Sequence, residues 1–75
     1  MDLNTHRDVL KVREFLKRFA IIIYTGSQID DIVLMDLELD DLYEDKHLDT
    51  EDYTKFKLAL RRAYTELDQG GPGKR

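Results

Sequence analysis

In three separate stretches of this chain, apolar residues return at every third or fourth position, the spacing that lines one face of an α-helix. The first stripe is Val9, Val12, Phe15, Leu16 and Phe19, which predicts a helix from about Thr5 to Phe19. Arg7, Lys11, Glu14 and Arg18 fall on its opposite side, and Leu10 points away from the stripe. The second stripe, Ile32, Met35, Leu39, Leu42 and Tyr43, predicts a helix over residues 27–46. Ile29, Val33, Leu34 and Leu37 carry apolar surface well round that cylinder, as expected of a helix that is central or that touches another chain. The third stripe, Tyr53, Phe56, Leu60, Ala63, Tyr64 and Leu67, predicts a helix that ends near Asp68, with Leu58 facing outward. The expected fold class is all-α: a compact three-helix bundle with a short extended connector between the first two helices.

The punctuation between the stripes agrees. Ile21, Ile22, Ile23, Tyr24 and Thr25 are β-branched or aromatic and continue a helix poorly, because their side chains crowd the preceding turn. Residues 20–26 are therefore expected to be extended, with isoleucines closing one end of the core. Gly26 offers the backbone a left-handed conformation. Ser27 with Asp30 three residues later reads as a helix N-cap, a variant of the capping box. Asp49 with Asp52 repeats the signal, and Leu48 and Tyr53 occupy the two positions of a hydrophobic staple. The folded domain is expected over residues 1–68. Residues 69–75, which hold Gly70-Gly71-Pro72-Gly73, are expected to form a flexible tail.

Composition narrows the function classes. Seventy-five residues support one core, which buries only about 60% of the surface of the unfolded chain. The apolar share of 41% is too high for a disordered chain. The absence of cysteine removes disulfides, thiolate catalysis and the usual zinc sites, and it fits a reducing compartment. The longest apolar run, Phe19 to Ile23, is far shorter than the roughly 20 residues of a membrane span, and the N-terminus lacks the apolar run of a signal peptide. A cytoplasmic location is the expectation.

Catalytic chemistry finds few candidates. Ser27 is the one serine, and its position explains it as a cap. His6 and His47 have no histidine or cysteine companion at helical spacing, so each reads as an ordinary surface histidine. The run Asp36-Leu37-Glu38-Leu39-Asp40-Asp41 imitates the alternating oxygens of a calcium loop. It places Asp41 where that loop requires glycine and His47 where it requires glutamate, and its leucines keep helical spacing. Gly26 stands alone, so there is no glycine-rich phosphate loop. These residues imply no metal, cofactor or small-molecule substrate, and a non-enzymatic role is expected.

Charge supplies the remaining signal. The net charge of −4 conceals a segregation: residues 27–46 hold eight acids and one base, whereas residues 53–65 hold Lys55, Lys57, Arg61 and Arg62 and no acid. The first helix is basic too. Mutual attraction of these elements within the bundle accounts for part of the pattern. Beyond that, Arg7, Lys11 and Arg18 on helix one and Lys55, Arg61 and Arg62 on helix three, with Lys57 beside them, could form one positive surface interrupted by Glu14. Such a surface suits single-stranded nucleic acid, with Tyr24, Tyr53 or Tyr64 as possible stacking partners. A pI near 5 and the core-stripe positions of Tyr53 and Tyr64 weigh against it. A helix-turn-helix reading is weaker, since the acidic second helix would lie against the same DNA. The alternative class is protein recognition or homodimerisation through Val33, Leu34 and Leu37, or through Leu10 and Leu58.

Taken together, Ile21-Ile22-Ile23-Tyr24-Thr25-Gly26, the segment Ile32 to Leu39 continuing through Leu42-Tyr43, and Asp52-Tyr53 resemble the YqgQ-like family of short cytosolic proteins from Bacillus-type bacteria. The resemblance covers residues 9–64. It implies a compact three-helix bundle and no established activity, and single-stranded nucleic-acid binding has been suggested for such proteins. It carries over no functional residues. The longer Gly-Pro tail and the heavily acidic second helix depart from the family pattern.

Overall fold

The computed structural model describes residues 3–70 and contains three helices, α1 (Leu3–Lys17), α2 (Gln28–Glu44) and α3 (Thr50–Gly70), each packed on the other two. α3 makes the most extensive contacts, chiefly with α2 and then with α1. Residues 1, 2 and 71–75 lie outside the described residues. The expected tail over 69–75 is corrected at its start, since α3 continues to Gly70. A helical glycine costs only about 1 kcal/mol relative to alanine, which a long, well-packed helix tolerates in its last turn.

The core is the one the stripes define. Val9, Val12, Leu16, Ile32, Met35, Leu39, Leu42, Leu48, Leu60 and Ala63 are buried, and Phe15, Phe19, Ile21, Ile23, Tyr53, Phe56 and Leu67 pack around them. Both caps form as expected. The Ser27 hydroxyl accepts from the Asp30 amide at 3.3 Å, and the Asp49 carboxylate accepts from the Asp52 amide at 2.8 Å.

The helix ends differ from expectation for one shared reason. α1 stops at Lys17 because Ala20 turns left-handed (φ 61°), with the Ala20 amide donating to the Lys17 carbonyl and the Ile21 amide to the Leu16 carbonyl. α2 stops at Glu44 because Lys46 does the same (φ 67°), its amide donating to Tyr43 and that of His47 to Leu42. Both are Schellman closures with a side-chain-bearing residue where glycine is usual. Gly26 adopts φ 90°, the left-handed region expected for it.

Two polar clusters fix the helices relative to one another. Asp31 is only 3% exposed and accepts from Arg13 at 2.9 Å and from the amide and hydroxyl of Thr25 at 2.8 and 2.7 Å. Arg13 also donates to the Ile23 carbonyl at 2.7 Å, so one part-buried ion pair ties α1, the connector and α2 together. Burial opposes ionisation of Asp31, but the hydrogen bonds from Arg13 and Thr25 and the Arg13 charge outweigh it and hold the carboxyl below its ordinary range. The second cluster joins α2 to α3. Lys57 bridges Asp36 at 2.9 Å and Asp40 at 2.7 Å, and the Tyr53 hydroxyl donates to Asp40 at 2.7 Å while its ring stacks on Tyr43.

Candidate nucleic-acid interface

The cationic positions sort themselves by helix geometry. On α1, Arg7 and Lys11 are one turn apart and share an exposed edge with Arg18, which lies in the turn just past the helix end. On α3, Lys55 and Arg62 are two turns apart and face the same way. Because α1 and α3 are neighbours, the two edges meet across a groove. Its two depressions measure about 290 and 590 Å³. The smaller has Lys55, Leu58 and Arg62 on its α3 wall, and the larger has Arg7, Leu10 and Arg18 on its α1 wall. Lys11 and Phe56 belong to both, so the groove is continuous.

Five of the six cations expected from sequence, Arg7, Lys11, Arg18, Lys55 and Arg62, therefore share one surface. Arg61 does not. One residue turns a helix by about 100°, and Arg61 points instead into the groove between α2 and α3, beside Val33 and Leu37. Lys57 faces α2 as well, where two carboxylates hold it and raise its pKa: burial works against the ammonium, and the hydrogen bonds and charges of Asp40 and Asp36 prevail. It contributes nothing to the α1–α3 face.

Among the described residues, no acid pairs with Arg7, Lys11, Arg18 or Arg62. Lys55 forms one loose, exposed pair with Glu51 at 3.7 Å, worth well under about 1 kcal/mol. Glu14 does interrupt the groove, and it is itself drawn to Lys17 at 3.4 Å. Asp8 and Asp52 lie along the edges.

The apolar part of the groove holds a pair of aromatic residues that the sequence assigned wholly to the core. Phe15 and Phe56 are half-buried, with ring centroids 5.2 Å apart, and line the groove floor. The only signal for this is their place at the margins of their stripes. The tyrosines fare differently. Tyr24 is 83% exposed on the connector, Tyr64 is exposed on the α2–α3 side, and Tyr53 is half-buried against Tyr43. Leu10, Leu58, Val33, Leu34 and Leu37 are all exposed, the first pair flanking the basic groove and the other three on the outer side of α2. His47 rests against Phe19, and among the described residues no acid, histidine or cysteine cluster suits a metal ion.

The family model described as YqgQ-like matches residues 7–66, a span that includes all of α2, most of α1 and α3, and both grooves. The chain belongs to the YqgQ-like family. In this YqgQ-like chain the matched span contains the Arg13–Asp31–Thr25 cluster, which fixes the Ile-Tyr-Thr-Gly segment in place. No curated protein and no solved structure matches the chain. No helix among the described residues is long and apolar enough to cross a membrane.

Proposed function

We propose that this YqgQ-like protein is a cytoplasmic, non-enzymatic binding module of bacterial origin that takes single-stranded nucleic acid along the α1–α3 groove. The observation that carries the reading is the convergence of Arg7, Lys11, Arg18, Lys55 and Arg62 on one groove floored by Phe15 and Phe56. From Arg7 to Arg18 the cationic edge extends about 17 Å at 1.5 Å per residue, enough for a few nucleotides. Cations along both walls suit a phosphate backbone, and apolar ring edges between them suit bases, whose faces stack without sequence preference. The flanking acids Glu14, Asp8 and Asp52 hold affinity down and make its dependence on salt shallower.

The test is a fluorescence-anisotropy titration of a labelled single-stranded oligonucleotide at low and near-physiological salt. Saturable binding is expected, strongly weakened when Lys11, Arg18 and Arg62 become glutamine and unaffected by Arg61→Gln. An absence of binding even at low salt, or equal sensitivity to Arg61→Gln, refutes the assignment to this groove.

A further inference from the structure

We infer that the outer face of α2 is a docking surface for a basic amphipathic helix of another protein. Val33, Leu34 and Leu37 lie one helical turn or less apart and point away from the core, each between 41% and 54% exposed. Single exposed apolar residues are ordinary; three contiguous ones on one helix face form a patch. Beside the patch, Val33 and Leu37 form one wall of a groove of about 270 Å³, and Leu60, Arg61 and Tyr64 of α3 form the other. A groove of this kind accepts apolar side chains spaced three or four residues apart on a partner helix.

The charges around the patch choose the partner. Four of the acids on α2 are already engaged or turned inward: Asp36 and Asp40 hold Lys57, Asp31 holds Arg13, and Glu38 is half-buried. Asp30, Asp41 and Glu44 are exposed, and among the described residues no cation pairs with them. At 100° per residue they fall on the same outward arc as the apolar patch, Asp30 at its N-terminal end and Asp41 and Glu44 at its C-terminal end. Three exposed carboxylates outweigh the single exposed cation Arg61 on the far wall of the groove, so the patch is net acidic and complementary to leucine-type anchors flanked by lysine or arginine. It repels nucleic acid and acidic helices. A second copy fits poorly. Two-fold apposition would set these carboxylates against themselves, and docking the basic face of another copy here would be a head-to-tail contact, which builds rings or filaments rather than a two-fold dimer.

The probe is a labelled leucine/lysine peptide of about 14 residues, four helical turns, whose leucines follow helical spacing. A peptide of the same composition in scrambled order serves as control. With the full chain at about 150 mM salt, surface charge pairs are largely screened beyond about 8 Å, so a contact that depends on apolar fit stands out. The amphipathic peptide is expected to saturate at one per chain, about tenfold tighter than the scrambled one. Leu37→Gln should weaken it by about tenfold and the Asp30→Asn, Asp41→Asn, Glu44→Gln triple variant several-fold, whereas Arg62→Gln should change nothing. All these positions are exposed, and unchanged helical circular dichroism verifies that the variants fold. Equal binding of the scrambled peptide overturns the inference, as does indifference to Leu37→Gln. Sedimentation equilibrium provides a second route to refutation: self-association of the free protein that Leu37→Gln abolishes would make another copy the occupant.

Discussion

The α1–α3 groove and the outer face of α2 are built from the same ingredients with opposite charge. Each combines exposed leucines or a valine with side chains predominantly of one charge. They differ in what the bundle does with the remaining charges. The basic surface keeps nearly all its cations free, and only Lys55 and Lys17 have loose partners. The acidic helix gives up Asp31, Asp36 and Asp40 to Arg13 and Lys57 and leaves its outermost carboxylates unpaired. Sequence charge counts therefore overstate the acidity of the α2 surface and understate how exposed the basic one is. A pI near 5 averages two faces that work separately.

The strongest way to break this comparison is to loosen the frame that keeps the faces apart. Asp31→Ala leaves the Thr25 amide without its acceptor and the Arg13 guanidinium, 28% exposed, with only the Ile23 carbonyl. Leaving such groups unsatisfied costs about 1–3 kcal/mol, so urea denaturation should show a large share of the domain's stability lost. Next in size is salt. If five cations contact phosphates on a single strand, the slope of log affinity against log salt is about −3.5, and Kd rises about 100-fold between 50 and 200 mM. The Lys11, Arg18, Arg62 glutamine triple should flatten that slope to about −1.4. A slope unchanged in the triple variant would place the anion elsewhere.

Acid should act through the clusters before it acts through the faces. The Asp31 and Asp40 carboxyls both sit below their usual 3.8, Asp31 for the reasons given and Asp40 because Lys57 and Tyr53 hydrogen-bond its charged form against the opposing effect of burial. On lowering the pH the unfolded chain thus takes up protons first. Their stabilisation is complete above about pH 4 and disappears as pH falls through the lower folded values. Denaturant midpoints measured from pH 6 to 2 should show this limb, and it should be shallower in Asp31→Asn. The smallest expected effect has the opposite sign. Ala20→Gly and Lys46→Gly each relieve a left-handed residue at a helix end and should raise stability by about 0.5–1 kcal/mol, read as a higher urea midpoint with unchanged slope.

The helices, the two caps and the core were legible in the sequence because period and capping chemistry are local. Ser27 and Asp49 act where their spacing says they should. What stayed hidden depends on which helices are neighbours. Arg61 looked equivalent to Arg62 until α2 and α3 took their places on either side. Phe56 looked like plain core until α1 left its ring at the base of a groove. Asp31 stood out only as one of the eight acids of residues 27–46. Its spacing with Met35, Leu39 and Leu42 places it on the buried stripe, and a lone carboxylate there was a cue that a cation had to be close. The helix ends at Lys17 and Glu44 escaped for a different reason, since neither Ala20 nor Lys46 carries the glycine signature of a left-handed closure.

Arg61 and Arg62 are consecutive residues that write on different surfaces, with α3 as the wall between them. Point substitutions can therefore tune one face without disturbing its counterpart, and the two can drift independently over generations. Length changes have no such freedom. Deleting one residue between Lys55 and Leu60 would rotate everything beyond it by about 100° relative to what precedes it. Such a shift would tear the core stripe and misdirect both arginines at once. Among relatives of similar fold, α3 should accordingly vary widely in side chains at its exposed positions while its residue count between these points stays fixed.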